Sequence, residues 1–342
     1  HLLGNLRPAM MAAIHEAGPY ALWVADLSQP LDTWAGDLLP RPAPVPERSR
    51  RAALIPREIL PFMQIRIAHS PDSDDAFMFY GLAKGKLDTG GLEVSHVLKD
   101  IESLNRDALQ GTYEVTACSF HAYPYIADKY ALMPCGGSIG DGYGPILVAK
   151  SESKIVGGPG ARDLGRVAIP GTMTSAYLAL RLYAPEVETY VVPFDAVFDE
   201  VLSGRADCGL VIHEGQLTFG GQGLRKIVDL GEWWLKDTGL PLPMGGNAVR
   251  RDLGPERMKQ LTRLVRDTVK FSLANREAAL EYAMTFARGM QTGIADRFVG
   301  MWVNDLTIEI GDRGREAIRV FLKRGREAGV ITKDFSIDFV EA

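Results

Sequence analysis

Cysteine is scarce. Cys118, Cys135 and Cys208 are the only three in 342 residues, and no two of them form a C-x-x-C pair. Neither a zinc ribbon nor a disulfide framework is therefore suggested, and the three are expected to be small buried hydrophobes in a reducing compartment. Long apolar runs are missing as well. No stretch reaches the roughly 18 residues that a transmembrane helix needs. The stretch 10–27 lacks the basic flank and apolar centre of a secretory signal, so a cytoplasmic protein is expected. Positive charge is not in excess: 38 Lys and Arg stand against 43 Asp and Glu, a formal net charge of −5. That balance offers no electrostatic reason for a nucleic-acid or anionic-membrane partner.

Several chemical signatures are absent too. The glycine-rich run 135–145 contains neither GxxxxGK[ST] nor GxGxxG, so no phosphate loop or dinucleotide fingerprint is supported. His213-Glu214 is followed by Leu217 rather than a histidine at that position, which excludes a zincin. No nucleophile elbow is expected, so a hydrolase of that type is unsupported. Asp72, Asp74 and Asp75 match no familiar metal loop such as the EF-hand, and no metal is expected.

What is present is an alternation of strand and helix patterns. Residues 1–62 differ from the rest: residues 40–61 repeat Pro and Arg and read as a loose or artefactual extension, with Met63 as the expected natural start. From residue 64 onward, strands are expected at 65–68, 92–98 and 115–119, and helices at 74–84 and 100–110. A second unit follows, with strands at 167–169, 190–192, 208–212 and 226–230. Helices at 174–183 and 195–202 lie between them. Beyond Pro255 the pattern is helical only. This argues an α/β protein of two lobes: residues 63–146 with 248–342 form lobe 1, and 147–247 form lobe 2. Two crossovers, near 140–150 and 241–250, would leave a central cleft between the lobes, with the C-terminal helices returning to lobe 1.

Candidate chemistry sits where strands end. The apolar run 208–212 delivers His213 and Glu214 to a sheet edge, where open α/β sheets bind ligands. Histidine, with an unperturbed pKa near 6.5, exchanges protons near neutrality, so His213 is the candidate general base. The segment His69–Phe79 (HSPDSDDAFMF) follows one strand and opens a helix. Ser70, Ser73, Asp72 and Asp74 can either cap that helix or contact a ligand. Gly171–Ala176 (GTMTSA) repeats the arrangement, with Thr174 and Ser175 at a helix start suited to a carboxylate or to plain capping. Ser119 ends the third strand and can face the cleft. His121 is expected at the surface or at a helix start. Asn247 and Asn304 are candidates for inward-facing residues.

These segments together carry a resemblance. SPDSDDAFMFYGLAKGK (70–86), DIESLN (100–105), GYGPILVAK (142–150), GTMTSA, LVIHE (210–214) and DLGEWWLKDTGLPLPMGG (229–246) resemble the 1,4-dihydroxy-6-naphthoate synthases of the futalosine route to menaquinone. The likeness runs from about residue 64 to the C-terminus. It implies a fold like a type 2 periplasmic binding protein, with two α/β lobes around a central cleft. It implies a lyase that cleaves cyclic dehypoxanthine futalosine and uses no cofactor. It also implies His213 as the base, with Ser70, Asp72, Ser119, Thr174, Ser175 and Glu214 on the substrate. The family loop reads closer to SPCPNDTF, so Asp72, Ser73, Asp74 and Ala76 are departures. The expected partner is a small-molecule substrate, with a homodimer left open. Two alternatives share the architecture: a solute-binding protein for a small organic anion, and the sister enzyme chorismate dehydratase.

Overall fold

The computed structural model describes residues 64–160, 163–287 and 291–341; the expected extension at 1–62 and the start at Met63 lie outside the described residues. The first half of the first lobe carries β1 (Gln64–His69), β2 (Glu93–Leu98), β3 (Val115–Ser119), β4 (Tyr130–Leu132) and β5 (Ser138–Gly140), with helices α1 (Ser73–Met78) and α2 (Ile101–Leu109) after β1 and β2. The second lobe carries β6 (Ile146–Lys150), β7 (Arg166–Ile169), β8 (Glu188–Val191), β9 (Cys208–Val211) and β10 (Leu224–Asp229), with α3 (Ser175–Tyr183) after β7 and α4 (Val197–Ser203) before β9. Helix α5 (Leu230–Thr238) leads back, and β11 (Leu242–Arg250) re-enters the first sheet.

The first sheet runs β2-β1-β3-β11-β4, with β5 also on β11; the second runs β10-β6-β9-β7-β8. Pairs β1–β2, β1–β3, β7–β8 and β7–β9 are parallel. The central strands β6 and β9 are buried at nearly every residue, as an apolar run covered on both faces requires. The edge strands β2 and β8 mix exposed and half-buried residues.

Two boundaries differ from expectation. Residues 242–247, assigned from sequence to the second lobe, lie in β11 between β3 and β4 of the first sheet. Ile146, assigned to the first lobe, opens β6 of the second. The Pro- and Gly-rich letters of β11 read as a turn. Gly245 is nonetheless suited to a strand here, because a Cβ on it would sit 3.2 Å from the Cys118 carbonyl oxygen. Helix 74–84 was expected as one piece but breaks at Phe79. Thr268 and Ser272 hydroxyls donate to the Met78 carbonyl, and Thr268 Oγ1 accepts the Leu82 N–H, so outside side chains enter the helical ladder there. Helix α5 was not foreseen. Asp229 caps it, accepting from the Gly231 and Glu232 N–H groups, and Gly239 ends it at φ 72°.

After β11 come α6 (Pro255–Ala274), α7 (Arg276–Met284), α8 (Thr292–Trp302) and α9 (Gly311–Glu327). The first three pack on α1, in the first lobe. Helix α9 instead lies across both lobes, against β11 and α3. Its Phe321 meets Trp234 of α5 edge-on at 5.3 Å, and one apolar core joins Tyr130 and Leu132 of the first lobe to Leu178 and Leu210 of the second. The expectation that all C-terminal helices serve the first lobe is thus corrected. None of the helices among the described residues is long and apolar enough to cross a membrane.

Candidate active site at the carboxyl edges of both sheets

The carboxyl ends of β1, β3, β7 and β9 turn toward one cleft, as open α/β topology dictates. Each supplies a short polar segment. After β1, Ser70 organises the loop: its N–H donates to Asp75 at 2.7 Å and its hydroxyl to Asp72 at 3.1 Å. Asp72 is the N-cap of α1 by position, yet its side chain makes no capping bond. His69 Nδ1–H donates to the Ser70 carbonyl at 2.9 Å, which leaves Nε2 to accept from His96 at 3.0 Å. Burial, with His96 beside it, lowers the His69 pKa to about 3, so the ring is a fixed neutral support for the loop.

At the end of β3, Ser119 is held by Asn105 of α2. The Ser119 N–H donates to Asn105 Oδ1 at 2.8 Å, and Asn105 Nδ2 donates to Ser119 Oγ at 3.0 Å. Asn105 also reaches the Met173 carbonyl of the other lobe at 3.4 Å. One turn earlier on α2, Glu102 accepts the Met173 N–H at 3.0 Å and pairs with Arg106 at 2.7 Å. A Cβ on Gly171 would sit 2.3 Å from the Glu102 carboxylate, so that position must stay glycine. Helix α2 therefore ties the first lobe to the 171–174 turn of the second. Replacing the fully buried Asn105 by Leu strands the Ser119 N–H and frees its hydroxyl. A stability loss of about 1–3 kcal/mol with a raised KM is expected, by urea unfolding and steady-state kinetics; a change in neither would remove Asn105 from the site.

After β7, Thr174 caps α3. Its hydroxyl accepts the Tyr177 N–H at 3.1 Å and donates to the Gly171 carbonyl at 3.0 Å. The capping reading of Thr174 holds, and that hydroxyl is already committed. Ser175 Oγ accepts the His121 N–H at 3.2 Å. His121 stands just before the short helix Tyr123–Ile126, one of the two places expected for it, and it is buried rather than at the surface. Its Nδ1–H donates to the Thr174 carbonyl at 3.2 Å, and burial lowers its pKa to about 4.

These segments enclose about 750 Å³ of atom-free space, open mouth included. Ser70, Asp72, Ser119, Thr174 and Ser175 all line it, so five residues chosen from sequence share one cavity. Asp74, Asp75 and Ser138 join them, together with the apolar side chains of Ile101, Ile212, Met244, Phe298 and Trp302. Phe298 and Trp302 come from α8, four residues apart on one helical face, which is the one trace that sequence offers of their role. Ser138 stands within the letters G-x-S-x-G of residues 136–140. It opens β5, paired antiparallel with β11, instead of a strand-to-helix elbow. Asn247 donates to the Gly136 carbonyl, and Asn304 caps a helical turn at 305–308; neither lines the cavity. Among the described residues no three His, Cys, Asp or Glu groups converge as a metal site.

His213 stands one residue past this lining. Ile212 lines the cavity; His213 does not, and 14% of its side chain is exposed. The Gly215 N–H donates to Nδ1 at 2.9 Å, so the neutral ring carries its proton on Nε2 and donates to the Phe194 carbonyl at 3.2 Å. A Cβ on Gly215 would come 2.7 Å from Cε1 of this ring. Phe194 and Ile212 also border a smaller recess that opens between Pro71, Asp72 and Pro170. Glu214 Oε2 lies 3.9 Å from His213 Nδ1.

Comparison with known proteins adds an independent line. The family described as Menaquinone biosynthesis matches residues 65–327. The chain is 37% identical over 254 residues to a 1,4-dihydroxy-6-naphthoate synthase of Thermus thermophilus, covering 74% of this chain and 91% of that protein. It is 35% identical over 273 residues to the enzyme of the same name from Streptomyces coelicolor, covering 78% and 94%. Among solved structures it is similar to a protein of Archaeoglobus fulgidus, with 44% identity, TM-score 0.74, and 78% and 98% covered. An alkanesulfonate-binding protein of Xanthomonas axonopodis matches at TM-score 0.60 and 11% identity over 80% and 96% of the chains. That last likeness shows the periplasmic-binding-protein-like fold.

Proposed function

This chain belongs to the menaquinone-biosynthesis family, and on that premise we propose that it releases 1,4-dihydroxy-6-naphthoate from cyclic dehypoxanthine futalosine, with His213 as general base. The observation that carries the reading is the composition of the cavity between the strand ends. Small hydroxyl side chains and the start of α3 share it with the apolar side chains Phe298, Trp302 and Met244. A bicyclic aromatic acid joined to a sugar has those same parts. Its rings would lie on the aromatic wall, its carboxylate at the start of α3, and its sugar hydroxyls on Asp72 and Asp75.

The base needs a rearrangement in this reading. Both ring nitrogens of His213 are engaged by main-chain groups. Nδ1 has the lone pair, and it accepts a substrate proton only after releasing the Gly215 N–H. Such tightening on substrate binding is common, and unliganded geometry does not disqualify a base. Proton abstraction then starts the fragmentation that frees the naphthoate. Phe194, which holds Nε2–H, keeps the ring oriented as it becomes an imidazolium.

The test is direct. Purified protein is incubated with cyclic dehypoxanthine futalosine and, separately, with chorismate, and products are identified by mass spectrometry. Dihydroxynaphthoate from the first substrate is the expected result. Dehydration of chorismate, or tight binding of the first substrate without turnover, would refute the proposal.

A further inference from the structure

We propose that a second cavity, beside the cleft and separate from it, binds a small aromatic carboxylate, and that its occupancy reaches the cleft through His121. This cavity encloses about 950 Å³ of atom-free space, open mouth included, room enough for a two-ring acid. No residue lines both cavities. Successive residues of the turn after β7 divide between them: Thr172 and Met173 line the second, Thr174 and Ser175 the first.

The lining points to the class of ligand. Arg181 is its only charged side chain. Nη1 of Arg181 donates to the Val187 carbonyl at 3.2 Å, and the guanidinium has no carboxylate partner among the described residues. Its other N–H donors suit a carboxylate in the cavity. Tyr177 precedes Arg181 by one turn of α3, at the i, i+4 spacing that brings side chains onto one face. Tyr125 joins them from the first lobe, its hydroxyl 3.4 Å from the Val330 carbonyl. The Tyr125 and Tyr177 rings stand 6.3 Å and 6.1 Å from the His121 ring. One cation among three rings fits a flat aromatic acid, with its carboxylate on Arg181 and its ring against the tyrosines. The acid released in the reaction proposed above belongs to this class.

His121 makes the connection. It is 4% exposed and lines the second cavity, yet its bonds go to residues of the first. Its N–H donates to Ser175 Oγ and its Nδ1–H to the Thr174 carbonyl, both at 3.2 Å. Nε2 has no hydrogen-bond partner, so Nδ1 alone tethers the ring. A ligand packed on this ring therefore acts on the start of α3 through two bonds. His121 and Tyr125 belong to the first lobe, Tyr177 and Arg181 to the second. An occupant thus touches both lobes and favours the arrangement in which they meet.

The experiment titrates the full chain with 2-naphthoate by calorimetry, for wild type, Arg181→Gln and Arg181→Lys. It also follows the imidazole ¹⁵N resonances of His121, assigned with His121→Asn. Wild type is expected to show a binding event that Arg181→Gln weakens at least about 10-fold. Arg181→Lys keeps the charge without the planar fork and should recover part of the affinity. The His121 resonances should move with that event in wild type and stay in place in Arg181→Gln at the same concentration. Equal affinity in wild type and Arg181→Gln puts the acid elsewhere and overturns the proposal. So does the absence of binding at millimolar acid. An Arg181→Lys variant as weak as Arg181→Gln overturns it too, because Arg181 then serves only the Val187 carbonyl. Arg181-dependent binding that leaves His121 unmoved refutes the link to the cleft. None of these results needs turnover, so they stand or fall apart from the reading of the reaction.

Discussion

His213→Ala lowers kcat by about 10² to 10⁴, the usual worth of a positioned general base, with the fold retained. The side chain also makes two bonds to main chain, from Gly215 and to Phe194, so a structural contribution must be separated from a chemical one. Thermal unfolding does this. Loss of two part-buried bonds costs about 1–2 kcal/mol, a small shift for a protein of this size. Product release is the direct readout. A variant that turns over within about 3-fold of wild type would end the assignment of His213 as base, and a cavity carboxylate would then be the group to examine.

Trp302→Ala has the second large effect, and it acts on both stability and catalysis. Trp302 is 4% exposed. It meets Tyr143 edge-on at 5.3 Å, and Phe298 lies 6.5 Å away on the same helix. Its carbonyl accepts the Thr307 hydroxyl at 2.8 Å. Truncation of a buried aromatic to Ala costs about 3–5 kcal/mol, read as a lower urea midpoint. The lost aromatic surface should also reduce kcat/KM about 10-fold, since ring–ring contact contributes about 0.5–1.5 kcal/mol beyond buried area. Trp302→Phe should recover part of each. Unchanged kcat/KM in a folded Trp302→Ala variant would remove this wall from substrate binding and leave Trp302 as core alone.

How far the site could be read from the letters depends on whether each residue is placed locally or from afar. Ser70, Asp72 and Ser119 were legible because they stand at or just past the end of an apolar strand, and the end of a parallel strand has one destination in this architecture, and Ser175 because it opens the helix after β7. Thr174 was legible as a hydroxyl at a helix start, but local chemistry claims it: it closes the first turn of α3. Asn105 and Glu102 were not singled out. They stand on a helix whose apolar stripe predicts burial, yet nothing on that stripe says that its neighbour is a turn 68 to 71 residues away. His121 stands just before the short helix Tyr123–Ile126, as the helix-start alternative had it, but its burial was not legible, since the backbone that covers it belongs to the other lobe.

The sequence by itself determined helices α2 and α3, because the spacing of their apolar side chains and the caps at Asp100 and Thr174 are satisfied within a few residues. It also determined that polar side chains and a histidine would gather at strand ends. Tertiary structure alone decided that β11 would be a strand of the first sheet, that α9 would span both lobes, and that Trp302 would wall the cleft. Those outcomes depend on which apolar faces meet across long chain separations. An apolar face is attracted to any other, and only the packing of the whole core selects its partner.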